Sequence, residues 1–436
     1  MVYNKKRLCI LSSDAYEFSR KDAYEALILW FQEGSFLQEQ SLPPFELKLV
    51  LGVCRHHLFL EYIVKKWTQK KPILQVQVIL EMGLYQLMYM DSVPKHAAVD
   101  TSVDLVHFFQ LGKGNAALVN AILRNFDAEK LPPLPPQKVK QISIQYSVPE
   151  WIVRRWFDSY GKEQAEVLAK ESLEEPIQWI RVDLSKTSLE KIQSHFDFKG
   201  KEYQGRFLQI PARYSIKKLI DSKEFQSGHF SFQNPAALEV VQQLALTGTE
   251  RVWDACAAPG GKSALLLEMY PDISLVASDA SSHRIQKMED LKNRKGHRSL
   301  EVSVLDATAE VPPDLFDAIL LDVPCSNFGV LSRRPEVVYR TSPETFKLLA
   351  EKQLKILENA SRALKMNGVL VYATCSQESV ETTGVIKSFL KKHPEYKIYA
   401  PALHVGGTDG LDRFFVQSLT KASECPISSN NSLRKT

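Results

Sequence analysis

What this 436-residue sequence lacks narrows its function before any motif is read. No stretch approaches 18 consecutive apolar residues, which argues against a transmembrane helix. Near the N-terminus Lys5-Lys6-Arg7 is followed only by Leu8-Cys9-Ile10-Leu11 before polar residues, too short for a signal-peptide core. The six cysteines, Cys9, Cys54, Cys256, Cys325, Cys375 and Cys425, are scattered with no C-x-x-C pair, so neither a zinc site nor a disulfide framework is expected. No metal is predicted, and a reducing, cytoplasmic setting fits. Charge of one sign is also scarce: the net charge of +4 permits a nucleic-acid partner without arguing for one. The runs Lys65-Lys66 with Lys70-Lys71, and Lys292-Asn293-Arg294-Lys295, read either as a local basic face or as solvated helix surface. Finally, neither a G-x-x-x-x-G-K-S/T loop nor a G-x-G-x-x-G fingerprint occurs.

What is present is an ordinary globular composition, 44% hydrophobic and 24% charged, in a chain long enough for two or three domains. Residues 14 to about 128 carry helical periodicity, including Ala15 to Leu29, Gln75 to Met90, Ala97 to Phe109 and, after Gly112-Lys113-Gly114, Ala116 to Phe126. Pro132-Pro133-Leu134-Pro135-Pro136 then reads as a stiff linker. The expected division is an all-helical domain at 1–130, a linker at 131–140, a small mixed α+β subdomain at 141–234, an α/β domain at 235–420 and a polar, frayed tail at 421–436. The small subdomain either handles substrate or forms the entrance to the larger domain. In the latter, apolar strands at 251–255, 274–278, 300–305, 318–321 and 369–373 alternate with helices, and Phe414-Phe415-Val416 offers a last strand. That predicts a mostly parallel, Rossmann-like sheet covered on both faces.

Polar residues gather at the carboxyl ends of these strands, where open α/β sheets bind ligands. The first strand runs into Asp254-Ala255-Cys256-Ala257-Ala258-Pro259-Gly260-Gly261-Lys262-Ser263, a turn whose glycines allow close backbone approach before a helix at 264–270. Taken alone, such a turn is more often structural than functional. The second strand ends at Asp279, which either holds ribose hydroxyls or caps the next helix, and the third ends at Asp306. Without phosphate-binding motifs, this set points to an adenosyl compound rather than NAD or ATP.

Two more strand ends carry cysteine, in Asp322-Val323-Pro324-Cys325-Ser326 and Thr374-Cys375-Ser376. Isolated buried cysteines usually serve as small apolar residues. Here, chemistry offers a reason for both: cytosine C5 is too weak a nucleophile to attack a methyl sulfonium until a thiolate adds to C6. A second thiol would aid elimination, and Asp322 would bond N3 and the exocyclic amine if one partner is protonated. The intervening loop holds Phe328, read as base-packing or loop-anchoring, and Arg333-Arg334, read as phosphate-contacting or simply solvent-exposed.

DACAAPGGKS at 254–263, LLDVPCSNFGVLSRRPE at 320–336 and YATCS at 372–376 together resemble the RsmB/NSUN (Nol1/Nop2/Sun) family of RNA cytosine-5 methyltransferases. MGLYQLMYMDSVPKHAAVD at 82–100 and LGKGNAALVNAILRNF at 111–126 resemble the NusB-like RNA-binding domain of its bacterial 16S rRNA branch, so the likeness covers nearly the whole chain. EEPIQWIRVDLS at 174–185 and FSFQNPAA at 230–237 extend it through the middle section. The resemblance implies S-adenosylmethionine as cofactor, with Cys375 as the C6 nucleophile, Cys325 assisting product release, Asp322 orienting the cytosine and Lys262 near the reacting centre. It implies a cofactor site of Ala257, Ala258, Pro259, Gly260, Gly261, Lys262, Asp279, Arg284, Asp306 and Asp322. Within it the Pro259–Lys262 turn would hold the methionine portion, Asp279 the ribose and Asp306 the adenine. A monomer acting on 16S rRNA or a small-subunit assembly intermediate is expected, with no membrane partner. Cytosine-5 methylation of tRNA or another RNA is the alternative, as is a non-catalytic ribosome-assembly factor. The chain departs from the family at Gln377-Glu378-Ser379-Val380-Glu381-Thr382, where Pro-Glu-Glu-Asn is usual and Glu381 takes the second acidic position. Three further departures are Ser278-Asp279-Ala280, Arg181-Val182-Asp183 and Asp409-Gly410-Leu411-Asp412-Arg413-Phe414-Phe415.

Overall fold

A computed structural model of the chain describes residues 20–34, 37, 42–212, 214–407 and 410–422. Ala15, Cys9, Cys425, Asp409, the Lys5-Lys6-Arg7 run and the expected tail beyond Ala422 lie outside the described residues. Two compact units emerge, one of residues 1–174 with 334–340 and one of 175–333 with 341–436.

The first unit is helical: α1 (Lys21–Glu33), α2 (Pro44–Trp67), α3 (Leu74–Tyr89), α4 (Lys95–Phe108), α5 (Lys113–Arg124), α6 (Lys138–Gln145), α7 (Glu150–Tyr160) and α8 (Lys162–Leu173). Apolar residues at helical spacing, among them Leu27, Val53, Leu60, Ile79, Leu84, Val106 and Leu123, meet in one core. Gly52 and Gly83 lie at tight helix contacts: a Cβ on either would strike the Tyr85 ring or the Leu123 side chain. Lys113-Gly114, read from the sequence as part of a break, already belongs to α5, whose first turn follows Gly112 at φ +98°.

The second unit holds two sheets. The smaller has order β2-β3-β1-β4, formed by β1 (Trp179–Val182), β2 (Glu202–Tyr203), β3 (Phe207–Gln209) and β4 (Phe230–Phe232), with α9 (Leu189–Phe196), α10 (Ile216–Ile220) and α11 (Lys223–Gln226) in its connections. Only β1 was distinct in the sequence; the others are too short for periodicity to register.

After α12 (Ala236–Gln242) comes the larger sheet: β5 (Arg251–Asp254), α13 (Gly261–Met269), β6 (Ser274–Asp279), α14 (Ser282–Lys295), β7 (Glu301–Val304) and β8 (Phe316–Asp322). The short α15 (Val337–Arg340) belongs to the first unit. The sheet continues with α16 (Pro343–Ala360), β9 (Leu364–Thr374), α17 (Thr383–Lys392), β10 (Tyr396–Ile398), β11 (Leu403–Val405) and β12 (Phe414–Lys421). Its order is β10-β12-β9-β8-β5-β6-β7, parallel from β7 through β9 and antiparallel at β12, with β11 also on β12. This is the expected Rossmann-like sheet. Ser342 caps α16, its hydroxyl accepting from Thr345 N while Ser342 N donates to Thr345 Oγ1, a capping box with Pro343 in the first turn.

Candidate active site

The carboxyl ends of β5, β6, β8 and β9 set out the site. Beyond β5, the chain turns through Ala257 and Ala258, both buried, then Pro259 and Gly260, and enters α13 at Gly261. Gly260 has φ +96°, and a Cβ there would meet Met288 Cγ at 2.9 Å, so both its conformation and the space around it call for glycine. Asp254 is buried beneath the turn; its Oδ2 accepts from Ser263 Oγ at 2.7 Å and its Oδ1 has no hydrogen-bond partner. Burial pushes its carboxyl up to about 7, the Ser263 hydroxyl opposing and the Asp322 charge adding to the rise.

Asp279, at the end of β6, accepts from Ser281 N at 3.0 Å and lies 3.3 Å from Arg284 Nη1. Ser281, not Asp279, is the N-cap of α14, so the capping role considered for Asp279 falls to its neighbour. Arg284 also donates to the Ala258 carbonyl, tying α14 to the glycine turn. Asp306 lies just past β7, exposed, accepting from Thr308 N at 2.9 Å; that bond and the Thr308 hydroxyl hold its pKa below the ordinary value. A buried unpartnered carboxylate oxygen, a glycine turn and acidic strand ends suit a cationic adenosyl ligand with free hydroxyls, so these residues fit the expected cofactor.

Across the sheet the two thiols meet. β8 and β9 pair in register Asp322↔Ala373, and Val323 N donates to Ala373 O at 3.0 Å. Beyond that bond the strand ends leave Cys325 Sγ 3.0 Å from Cys375 Sγ. Cys375 Sγ also donates to Asn327 Oδ1 at 3.3 Å. The hydrogen bond to Cys325, burial and the Asp322 charge together raise the Cys375 thiol well above its usual pKa, with Lys262 opposing them. Lys262 Nζ lies 2.6 Å from Asp322 Oδ2 and over the Phe414 ring, 5.0 Å from its centroid. Burial disfavours the ammonium, but the Asp322 carboxylate outweighs it and raises the Lys262 pKa. Thus Cys375, Cys325, Asp322 and Lys262 form one cluster, while Asp279 and Arg284 stand with the glycine turn.

The loop between the thiols is stitched in place. Gly329 N donates to Cys375 O at 2.8 Å and Arg413 N to Gly329 O at 3.0 Å; a Cβ on Gly329 would collide with the Arg413 carbonyl. Phe328 packs edge-on against Phe346, which anchors the loop. Arg333 pairs with Asp412 at 2.8 Å and donates to Ile177 O at 2.9 Å, so it is tied internally rather than simply solvent-exposed. Nor is 292–295 an open basic face: Arg294 donates to the carbonyls of Phe225 and Phe230, and Lys295 is buried against Glu268 and Asp183.

Some supporting residues escaped the sequence reading. Arg181 is fully buried; it forms a two-pronged pair with Glu268 at 2.9 and 2.8 Å and donates to Gly261 O at 2.8 Å, securing the glycine turn from β1. Glu268 follows the apolar run Leu265-Leu266-Leu267, a polar intrusion that hinted at a buried partner. Gln353 gave the same hint, sitting with Phe346, Ile356 and Leu357 on the buried side of α16.

The chain matches the family described as 16S rRNA methyltransferase RsmB/F over residues 241–412, the NusB family over 19–128 and the RsmF/B-like ferredoxin-like domain over 148–206. It is 32% identical over 359 residues to the probable ribosomal RNA small subunit methyltransferase B of Bacillus subtilis, covering 80% of each chain. A protein of the same description from Synechocystis is 30% identical over 397 residues, covering 87% of this chain and 88% of that one. The crystal structure of NSun6 from Pyrococcus horikoshii with SFG superposes with a TM-score of 0.55 at 21% identity, covering 63% of this chain and 99% of that one, a likeness of fold.

Proposed function

We infer that this chain, which belongs to the RsmB/F family of methyltransferases, methylates carbon 5 of a cytosine in 16S rRNA through a covalent bond from Cys375 to C6. The observation that carries this reading is the pair of thiols 3.0 Å apart at adjacent strand ends, on the sheet edge that also bears the glycine turn. A methylase acting on a nitrogen already nucleophilic has no use for either sulfur.

S-adenosylmethionine supplies an electrophilic methyl group. The chain's residues make C5 able to receive it. Cys375 gives up its proton and bonds to C6, placing electron density on C5. Asp322 and the Lys262 ammonium, paired at 2.6 Å, hold the pyrimidine at N3 and its amine. After methylation the Cys325 sulfur, as thiolate, takes the C5 proton; the C–H electron pair restores the C5–C6 double bond and the C6–S pair leaves on Cys375 as a thiolate. Asp254, the Ala257–Lys262 turn, Asp279, Arg284 and Asp306 bind and orient the cofactor. In the same reading the helical block at 1–130 binds RNA, and the substrate is 16S rRNA or a small-subunit assembly intermediate in the cytoplasm.

The test combines purified protein, undermodified 16S rRNA and S-adenosylmethionine, with bisulfite sequencing as readout. The expected product is 5-methylcytosine. Cys375→Ala should give neither product nor adduct, whereas Cys325→Ala should accumulate a protein–RNA adduct that survives denaturing electrophoresis. Methylation at a cytosine nitrogen would overturn the chemistry. In a deletion strain, unchanged 16S rRNA beside a lost tRNA mark would overturn the target.

A further inference from the structure

Past the last main-chain bond between β8 and β9, no ladder holds the two thiol-bearing segments together. Beside the single Gly329 N–Cys375 O bond and the Cys375 Sγ–Asn327 Oδ1 contact, one carboxylate ties both segments at once. Glu381, in the turn before α17, is fully buried. Its Oε1 accepts from Ser326 N at 3.0 Å and Gln353 Nε2 at 2.9 Å; its Oε2 accepts from the hydroxyls of Ser326 and Ser376, each at 2.5 Å. Ser326 follows Cys325 and Ser376 follows Cys375, so one side chain grips the residue beyond each sulfur. The two serine oxygens are themselves 3.2 Å apart.

The clamp is braced from behind. Tyr372 OH donates to Glu381 O at 2.6 Å, Gln353 Nε2 also donates to Pro324 O at 3.0 Å, and Tyr372 OH reaches Gln353 Oε1 at 3.1 Å. A carboxylate is costly to bury unless its oxygens are satisfied, and here four donors converge on it. Removing it would leave the Ser326 amide without its acceptor and the two serine hydroxyls with only each other, so that beyond the strand ends the segments would be held chiefly by the Gly329 N–Cys375 O bond.

We propose that Glu381 is a positioning residue that sets the distance between the two thiols and thereby lets Cys325 act on an adduct held by Cys375. The proposal deepens the covalent reading above and rests on it for the catalytic consequence. The spacing itself can be measured without RNA. Phenylarsine oxide condenses with two thiols, forming two As–S bonds and releasing water, and it binds tightly only where the sulfurs are already close.

Full-length Glu381→Ala, Glu381→Gln and the double variant Ser326→Ala/Ser376→Ala are compared with wild type. Cys325→Ser and Cys375→Ser mark the loss of dithiol binding. Glu381→Ala should weaken arsenical binding at least about tenfold and lower kcat by about 100-fold, with little change in the KM for S-adenosylmethionine. It should also accumulate protein–RNA adduct, as a Cys325 variant does. Glu381→Gln, which keeps an acceptor and hydrogen-bonding capacity, should recover most of both activities. Should Glu381→Ala fail to fold, the double serine variant, which removes only the gripped hydroxyls, carries the same expectation. A folded Glu381→Ala or double serine variant that binds the arsenical and turns over like wild type overturns the proposal. So does a loss of kcat with neither weakened arsenical binding nor adduct. Weakened arsenical binding in a protein whose wild type makes no 5-methylcytosine upholds the spacing role and rejects the covalent reading.

Discussion

Cys375 is not a thiolate at rest. Its hydrogen bond to Cys325, its burial and the Asp322 charge hold the proton on, and Lys262 is the nearby cation that opposes them. In the proposed mechanism the ionised form of this acid attacks, so adduct formation should rise by about tenfold per pH unit through the neutral range. Lys262→Met should move that rise to higher pH. A profile of adduct yield against pH checks both, and a flat profile for the wild type would contradict the role of thiol ionisation. Asp254 poses the opposite problem, a carboxyl buried until its pKa reaches about 7. The unfolded chain ionises near 3.8, so the folded state binds the extra proton between those values. The contribution of this one carboxyl to stability should therefore be fully present below about pH 4 and be lost as pH rises to about 7, up to about 4 kcal/mol in all. Asp254→Asn, which can still accept from Ser263, should remove that component. Denaturant unfolding at pH 5 and pH 8 measures the difference.

At the scale of elements, the small sheet is fastened to the glycine turn by charge. Arg181 on β1, Glu268 on α13, Lys295 at the end of α14 and Asp183 just past β1 are all buried, two cations against two anions. Such a network is strained by the removal of one member rather than by its presence. Arg181→Met should cost about 3–5 kcal/mol in the unfolding of the second unit. Arg181→Lys keeps the charge but not the fork that spans Glu268 and Gly261 O, and it should raise the KM for S-adenosylmethionine more than it lowers kcat. Calorimetry and initial rates separate the two effects; an unchanged KM in a folded Arg181→Lys would show that the turn holds its shape without the guanidinium.

On the scale of the whole molecule, the segment Arg334–Arg340 lies in sequence between two parts of the second unit yet belongs to the helical one. Tyr339 packs edge-on against Trp30 and His57, with centroids 5.4 and 5.5 Å away, and donates to Ser147 O at 2.8 Å. The first unit is thus built from two stretches of chain. Tyr339→Ala should destabilise it by about 3 kcal/mol. Hydrogen exchange should then quicken in α1 and α2 while β9 keeps its protection; equal loss in both would mean that the two units unfold as one.

Much of the plan was legible without coordinates. Periodicity is a local property, so α3, α4 and α16 and the strands β5, β6 and β8 lie close to where their apolar spacing puts them, and the Ser342-Pro343 cap reads directly from its own residues. The same holds for the glycine turn and for two cysteines just beyond strand ends. The sequence could not determine what depends on the pairing of distant segments. The contact between Cys325 and Cys375 follows from the β8–β9 register, the grip of Glu381 on Ser326 and Ser376 from the packing of α16 and α17 over that edge, and the internal ties of Arg333 and Lys295 from acids far along the chain. A side chain's partner is chosen among all groups that folding brings within a few ångströms, and only the tertiary structure supplies that choice.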